Sequence, residues 1–313
     1  MSRIHEALKR AEQERASRPE GETPTQAPVS ALVLPSLAEG AAGREPGPDG
    51  ERLAATFPSP NFGPEAISIE SLMARCSQPD WHPDVNTMLF LREGNHQYKT
   101  EVFRTLRSRL YRFRDQISLR TLLITSTLPS EGKSFIAANL SQAIAQQHGR
   151  RTLLIDADLR IPRLHTLLGA PQSPGLTDYL RGEADETAVI QRGPRDGFFF
   201  LPCGAAVANP VELIGNGRMK ELLERLTPVF DWIVLDSPPM LPVSDASLLA
   251  DMCDGVLLVV RSAATPFDLA QKVCGEFKNT PLVGVVLNGI DQHSNYGNYY
   301  YNSYGSNGEA PKG

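Results

Sequence analysis

The 313-residue sequence predicts an α/β fold, in which a mostly parallel sheet carries helices on both faces. Two observations predict this fold class. Apolar, β-branched runs of strand length recur along the chain: RTLLITST, RTLLIDAD, GFFFLPCG, DWIVLDSP, GVLLVVRS and LVGVVLNG. Stretches with a helical apolar period, such as SFIAANLSQAIAQQ and MKELLERLTPVF, separate most of these runs. Buried strands that alternate with helices are typical of a parallel sheet.

Changes in composition divide the chain into five predicted segments. Residues 1–16 are predicted to form a short amphipathic helix, which is either a solvated terminal helix or a docking element. Residues 17–65 are rich in Pro, Gly, Ala and Glu, which predicts a disordered linker. Residues 66–96 form a lead-in segment with a strand-like signal, MLFL. The α/β domain occupies 97–291 and opens with a helical pattern, and 292–313 form a flexible tail.

Composition narrows the class of protein. A net charge of −5 argues against a nucleic-acid coat, and we expect no nucleic-acid partner. The sequence has no run of about eighteen apolar residues that would predict a membrane span. The charged start MSRIHEALKRAEQERAS lacks the apolar core of a secretory signal. Four cysteines without CxxC spacing favour a reducing cytoplasm over a disulfide framework or a zinc site.

A phosphate-binding loop follows the first strand of the domain. LLITSTLPSEGKSF places Gly-Lys-Ser between a buried strand and a helix, where backbone N–H groups can surround phosphates. Gly132 allows close approach of the backbone, Lys133 reaches the β- and γ-phosphates, and Ser134 is the predicted Mg²⁺ ligand. The match to G-x-x-x-x-G-K-[ST] is imperfect because Thr127 replaces the first glycine, so a chance Gly-Lys-Ser is the alternative. The other loop residues predicted to surround the nucleotide are Pro129, Ser130, Glu131 and Phe135.

Carboxylates follow two further strands. LLIDADLRIP puts Asp156 and Asp158 at the end of one strand, and WIVLDSPP puts Asp236 at the end of another. Ligands of open parallel sheets bind at the carboxyl edge, so Asp156 and Asp236 are predicted to hold Mg²⁺ with the loop serine. Asp156 and Asp158 face the same way on an extended segment, so either can accept a proton. Arg160 is predicted to pair with phosphate, with Asp158, or with another surface acid.

Three motifs together resemble those of a known family. TLPSEGKS, LLIDADLRIP and VLDSPP are similar to the Walker A, A′ and B motifs of the bacterial tyrosine kinases (BY-kinases), the autokinases of polysaccharide assembly. The opening MSRIHEALKRAEQERA resembles the soluble members associated with exopolysaccharide loci. The resemblance implies a P-loop NTPase fold of the deviant, partition-ATPase type, and the sequence has no HRD or DFG motif. It also implies ATP and Mg²⁺ as cofactors, with the catalytic residues Lys133, Asp156, Asp158 and Asp236.

The resemblance implies further site residues. Glu101, Arg104 and Arg107 match the family's E-x-x-R-x-x-R, which contacts neighbouring subunits in a ring, and their spacing places them on one helical face. An exposed, salt-bridged helix is the alternative. Asn209 in NPVELI and Asn288 in VVLNGID correspond to residues near the nucleotide base. Alternatively, Asn209 caps a helix and Asn288 ends a strand.

The tail contains five of the eight tyrosines of the chain. In the resembling family, a neighbouring subunit phosphorylates such a cluster, which here comprises Tyr296, Tyr299, Tyr300, Tyr301 and Tyr304. Gly and Asn give the tail flexibility, and several phosphates of about −2 each would repel one another and weaken the ring. The family also implies a separate membrane-bound polysaccharide co-polymerase as activator, a tyrosine phosphatase, and peripheral recruitment to the inner membrane.

Two other classes of function fit parts of the sequence. Partition or positioning ATPases hydrolyse ATP on dimerisation, but they carry a second lysine five residues before the main one, where this chain has Leu128. They also lack a tyrosine tail. A scaffold that binds ATP without transferring phosphate is left open by Thr127 and Ser130, which depart from the loop pattern.

Overall fold

A computed structural model describes the protein at residues 31–33, 67–91, 97–241 and 243–290. The predicted N-terminal helix (1–16) and the tyrosine tail (292–313) lie outside the described residues. The helices of the described chain are α1 (Ile69–Arg75), α2 (Gln97–Arg114), α3 (Lys133–Ala145), α4 (Leu164–Leu168), α5 (Leu176–Arg181), α6 (Glu186–Val189), α7 (Pro210–Ile214), α8 (Arg218–Leu226), α9 (Asp245–Ala250) and α10 (Phe267–Glu276).

One sheet organises the described chain. Its strands are β1 (Ala31–Val33), β2 (Thr121–Ser126), β3 (Thr152–Asp156), β4 (Gln191–Arg192), β5 (Phe198–Leu201), β6 (Trp232–Asp236), β7 (Gly255–Arg261) and β8 (Leu282–Asn288). They lie side by side in the order β1-β8-β7-β2-β6-β3-β5-β4. The six inner strands are parallel, whereas β1 and β4 pair antiparallel with β8 and β5 at the two edges. The predicted, mostly parallel sheet is therefore confirmed.

Helices cover both faces because the inner strands are apolar on both sides. Leu122 and Ile124 of β2 lie in one core cluster together with residues of α2 and α3. Leu123, between them, lies in the opposite cluster with residues of α8 and α9. Successive side chains of a strand point to opposite faces, so a continuous apolar run requires cover on both sides. The predicted helices on both faces are confirmed.

Two segments outside the predicted domain differ from the sequence prediction. The MLFL signal of the lead-in segment is not a strand: Leu89–Leu91 form a 3₁₀ turn. Met88 and Leu89 are buried in the cluster that contains α2 and α3, and the Leu89 N–H donates to Asn139 Oδ1 at 2.9 Å. The apolar run thus packs beneath helices and does not pair with a strand. Within the predicted linker, Ala31–Val33 form β1, because the outer edge of β8 offers unpaired backbone groups.

Within the described ranges, no helix combines the length and the apolar character that crossing a bilayer requires.

Candidate functional site

The phosphate-binding loop connects β2 with the first turn of α3. Gly132 precedes the helix with a φ of 94°, in the left-handed region that favours glycine. A Cβ atom at this position would lie 2.1 Å from Asn288 Nδ2, so a side chain there would collide with its neighbour. Glycine is therefore required by both the backbone conformation and the close contact, and the loop amides at the N-terminus of α3 stay accessible for phosphate.

Lys133 lies among acidic side chains in this site. Its Nζ donates to Asp158 Oδ2 at 2.7 Å and lies 3.7 Å from Asp236 Oδ1. Ser134 Oγ is 3.4 Å from the same nitrogen. Burial opposes the charged ammonium, but Asp236 and Asp158 outweigh it and raise the pKa of Lys133. The lysine is therefore held as a cation at the carboxyl edge of the sheet.

Asp156 and Asp236 face each other at the ends of adjacent strands. They are partners in the register of β3 and β6, and both are fully buried. Asp156 Oδ2 accepts a hydrogen bond from the Leu164 N–H at 3.0 Å. The other Asp156 oxygen and both Asp236 oxygens have no hydrogen-bond partner. Burial raises the pKa of Asp236 to about 6, and burial together with Asp236 raises the pKa of Asp156.

These carboxylate oxygens fit a magnesium ion bound together with a nucleotide. In the part of the chain that the structure describes, no three His, Cys, Asp or Glu side chains converge as a complete metal cage. Mg²⁺ at nucleotide sites is bound by one or two carboxylates, the phosphates and water. Buried polar atoms without partners are rare, and the binding of an ion is one physical reason for them. Asp156, Asp236 and the Ser134 hydroxyl provide the expected oxygen donors.

The segment after β3 is fixed from two directions. Asp158 Oδ1 accepts hydrogen bonds from the N–H groups of Ile161 at 2.9 Å and Arg160 at 3.3 Å. The Arg160 side chain donates to both oxygens of the buried Asp245 on α9, at 2.8 and 3.0 Å. The guanidinium therefore contacts Asp245 and not Asp158, which was one of the predicted partners. Its assignment to the nucleotide remains a prediction.

The two predicted asparagines lie in different surroundings. Asn288, the last residue of β8, is buried, and its Nδ2 donates to the Glu131 carbonyl oxygen at 2.8 Å. Asn209 precedes α7, is exposed, and donates to Glu212 Oε2 at 3.2 Å. It occupies the N-cap position without a capping side-chain hydrogen bond. The structure thus brings Asn288, but not Asn209, into contact with the phosphate-binding loop.

Glu131 turns inward from the loop. Its Oε2 accepts a hydrogen bond from the Leu128 N–H at 2.9 Å, and Thr265 Oγ1 donates to its Oε1. Burial raises the pKa of Glu131 to about 7. Among the other predicted loop residues, Pro129 and Ser130 are exposed, while Phe135 is half-buried and packs edge-on against Phe103. The contact with Thr265 was missed in the sequence, because no motif marks the turn after β7.

The predicted interface residues on α2 divide into two groups. Glu101 and Arg104 are exposed and form an ion pair with each other. Arg107 Nη1 instead donates to the carbonyl oxygen of Ala143, near the C-terminus of α3, and burial lowers its pKa. Glu101 and Arg104 are accessible to a neighbouring subunit, whereas the Arg107 side chain is directed into its own chain.

Comparisons with known proteins agree with this geometry. The family described as CobQ/CobB/MinD/ParA nucleotide binding domain matches residues 122–302. The tyrosine-protein kinase YwqD of Bacillus subtilis (strain 168) is 35% identical over 204 residues, which cover 64% of this chain and 86% of YwqD. The succinoglycan biosynthesis transport protein ExoP of Rhizobium meliloti (strain 1021) is 37% identical over 179 residues, which cover 56% of this chain and 23% of ExoP. The kinase domain of the Escherichia coli tyrosine kinase ETK superposes with a TM-score of 0.60 at 30% identity, covering 71% of this chain and 86% of that domain.

Proposed function

Since the chain belongs to the bacterial tyrosine kinases, we propose that it transfers the γ-phosphoryl group of ATP to tyrosines of its own C-terminal tail. One observation carries the proposal. Lys133 lies within ion-pair distance of Asp158 and Asp236, beside buried carboxylate oxygens of Asp156 and Asp236 that have no hydrogen-bond partner. Phosphoryl transfer needs little covalent help from the protein and depends on positioning and charge neutralisation, which this arrangement supplies.

Lys133 and Asp158 would act in sequence. In the structure, the Lys133 ammonium donates a hydrogen bond to Asp158 Oδ2. When a nucleotide binds, we expect the ammonium to move toward the β- and γ-phosphates, which releases that carboxylate oxygen. Asp158 Oδ2 can then accept a hydrogen bond from the tyrosine hydroxyl, whose ordinary pKa of about 10 keeps it neutral at pH 7. Oδ1 would stay bound to the amides of Arg160 and Ile161, so the carboxylate keeps its orientation.

Asp156, Asp236 and Ser134 would hold the metal. Mg²⁺ bound there would neutralise charge on the phosphates. Asp156 is already oriented by the Leu164 N–H, and the register of β3 and β6 places Asp236 directly beside it. Asn288 would support the phosphate-binding loop through its hydrogen bond to the Glu131 carbonyl oxygen.

Two tyrosines of the described domain are poorly placed as phosphate acceptors, which favours the tail as the source of acceptor hydroxyls. Tyr179 is buried with Arg218 over its ring, and the hydroxyl of the half-buried Tyr111 is enclosed. Because both hydroxyls are enclosed by the protein, neither is available for transfer. The tail follows β8, whose last residue, Asn288, contacts the phosphate-binding loop. The first tail tyrosine, Tyr296, lies eight residues further along, which is at most about 29 Å of extended chain.

We place this reaction within an oligomer, with the tail of one subunit entering the site of its neighbour. The exposed Glu101 and Arg104 are the described members of the predicted contact helix. The sequence similarity to ExoP, a succinoglycan biosynthesis transport protein, supports a role in exopolysaccharide production. In that role, a membrane-bound co-polymerase would recruit the kinase to the cytoplasmic side of the inner membrane and activate it. A tyrosine phosphatase would remove the phosphates from the tail.

Labelled ATP and mass spectrometry test the transfer. After incubation with Mg-ATP, we expect phosphate on tail tyrosines of the wild-type protein. Lys133→Met should lose at least about 99% of this label, because it removes the cation that positions the phosphates. Replacing the five tail tyrosines by Phe should remove most of the label, while the matched control Tyr111→Phe should keep it. Release of free phosphate alone would indicate a positioning ATPase, and the absence of both products would indicate a scaffold.

A mixing experiment tests transfer between subunits. The Lys133→Met chain has acceptors but no activity, and the chain with five tail Phe residues has activity but no acceptors. When the two are mixed, we expect label on the tail of the Lys133→Met chain, because the neighbour supplies the active site. If the wild-type protein is labelled but the mixture is not, transfer occurs within one chain and the oligomer proposal is wrong.

A further inference from the structure

Two strained turns contact each other, one within the phosphate-binding loop and one after β7. Ser130 has a φ of 65° and Ala263 a φ of 56°, and they are the non-glycine residues of the described chain with positive φ. Such conformations cost about 1 to 3 kcal/mol each and persist only where the surroundings fix them, often next to bound ligands. One turn belongs to the phosphate-binding loop and the other follows β7. Both are therefore expected to be held by specific contacts.

Hydrogen bonds join the β7–α10 turn (residues 261–265) to the phosphate-binding loop. Arg261 Nη1 donates to the carbonyl oxygen of Ser130 at 3.0 Å. Thr265 Oγ1 donates to the Glu131 carboxylate, which in turn accepts the Leu128 N–H. The 261–265 turn is itself anchored to the end of β8, because the Ser262 N–H donates to the carbonyl oxygen of Asn288 at 2.7 Å. The loop is thus tied at two successive residues to one rigid edge of the sheet.

The direction of each hydrogen bond gives Thr265 a specific role. Its hydroxyl oxygen accepts a hydrogen bond from the Arg261 N–H at 2.8 Å, so its hydrogen is free to be donated to Glu131. An ionised Glu131 can only accept, and its other oxygen already receives the Leu128 N–H. Thr265 is buried, so no water can readily replace its hydroxyl. The threonine hydroxyl therefore connects the backbone of the turn to the side chain that shapes the loop.

We propose that Thr265 is a positioning residue for nucleotide binding: it holds Glu131, and through Glu131 it fixes loop residues 128–132 in the phosphate-binding conformation. The inference rests on the proposed function in one respect, that a nucleotide occupies this loop. A loop whose amides are aligned before binding pays less conformational entropy when the phosphates arrive. Loss of the Thr265 hydroxyl should therefore weaken nucleotide affinity, with little effect on the rate of transfer once the site is saturated.

Three variants separate this role from simple packing. Thr265→Val keeps the shape of the side chain and removes the hydroxyl. Thr265→Ser keeps the hydroxyl and removes the methyl group. Thr280→Val is the matched control, because Thr280 is also buried and donates to a carbonyl oxygen, that of Ala250 at 2.7 Å, but it lies before β8 and away from the loop.

The affinity of the full-length variants for Mg-ADP can be measured by titration calorimetry, alongside their thermal unfolding. We expect Thr265→Val to bind Mg-ADP about tenfold more weakly, the effect of losing one well-placed hydrogen bond. Thr265→Ser should stay within about twofold of the wild type, and Thr280→Val should lose thermal stability without losing affinity. At saturating ATP, the kcat of autophosphorylation should be the same in all of them, so that the effect appears in KM.

Two results would overturn the proposal. If Thr265→Val bound Mg-ADP as tightly as the wild type, the hydroxyl would not position the loop. If Thr265→Ser lost as much affinity as Thr265→Val, the methyl group and not the hydroxyl would matter. These results differ from a failure of the proposed function, in which the wild-type protein itself would bind no Mg-ADP and both proposals would be wrong.

Discussion

The aspartates at the two ends of strand β6 differ in their hydrogen-bond partners. Asp231 precedes the strand, and both of its oxygens are satisfied, by Arg150 Nη1 at 2.8 Å and by the Arg151 N–H at 2.9 Å. Burial favours its neutral form, but these hydrogen bonds outweigh burial and lower the pKa of Asp231. Asp236 ends the strand, fully buried, and neither of its oxygens has a hydrogen-bond partner.

The difference separates acids that are bound by partners within the fold from the acids that we propose to bind the metal. At the amino edge, the protein supplies the partners of each carboxylate, as it does again for Asp254, whose Oδ2 accepts the N–H groups of Arg120 and Thr121. At the carboxyl edge, one oxygen of Asp156 and both oxygens of Asp236 have no hydrogen-bond partner, and burial raises the pKa of Asp236 to about 6. An arrangement that destabilises the folded chain is expected where a ligand supplies the missing interactions.

The largest expected effect comes from changing the unsatisfied acid. Asp236→Asn should reduce autophosphorylation about 100-fold or more, because it removes a charge that stabilises the bound metal. The free energy of unfolding without ligands should stay the same or rise, since a buried charge is removed while Lys133 keeps Asp158 at 2.7 Å. Kinase assays and urea unfolding of the same preparation measure both quantities. A large loss of stability in Asp236→Asn would show that Asp236 contributes to the stability of the fold, and it would contradict the proposed difference between the two edges of the sheet.

Asp231→Asn is the matched change at the other end of the strand, and its expected effect is smaller. It should lower the free energy of unfolding by about 1 to 2 kcal/mol, because the charge-assisted hydrogen bond to Arg151 weakens and the partly exposed Arg150 pair contributes little. Autophosphorylation at a temperature where the variant is folded should match the wild type. If this variant lost activity while remaining folded, the two edges would not be separate in function.

The smallest expected effect is a change in pH dependence at Glu131. Because its folded pKa is raised to about 7, above the ordinary value of 4.5, the native protein binds this proton more tightly than the unfolded chain. The contribution to stability is therefore complete below about pH 4.5 and is lost as the pH rises through about 7. Glu131→Gln should flatten this part of the profile, by at most about 1.4 kcal/mol per pH unit.

Urea unfolding between pH 5 and 7, without metal or nucleotide, measures the slope. Asp156 and Asp236 have raised pKa values too, so they contribute the same sign in both proteins, and the comparison depends on slopes and not on absolute stability. Identical slopes for the wild type and Glu131→Gln would show that Glu131 titrates normally in the folded protein.

The residues at the carboxyl edge of the sheet could be predicted from the sequence, because this prediction needs only local information. Parallel strands end at a common edge, so an apolar run followed by Gly-Lys-Ser or Asp places its chemistry there without knowledge of strand order. This reasoning located Lys133, Asp156, Asp158 and Asp236 together. It also predicted the helices on both faces, since an apolar run without alternation has no face that can remain in water.

The contacts that the sequence did not predict join partners distant in sequence. Arg160 selects Asp245, and Glu131 selects Thr265, across 85 and 134 residues respectively. No local spacing marks such pairs. Likewise, MLFL has the composition of a strand, but its described side chains are buried against the helices α2 and α3, and its backbone does not pair with a strand. Arg107 fits a surface pattern, yet the carbonyl groups at the end of α3 attract its guanidinium inward.

The short strands β1 and β4 have a consequence for how copies of this chain can associate. Among the described strands, they form the two borders of the sheet, and each is a strand of only two or three residues that pairs antiparallel with its neighbour. Such brief, reversed borders are poor templates for a further strand, so they discourage open-ended growth of the sheet from one molecule into the next. In the oligomer that we propose, neighbouring molecules would instead meet through side chains on their helices, such as Glu101 and Arg104.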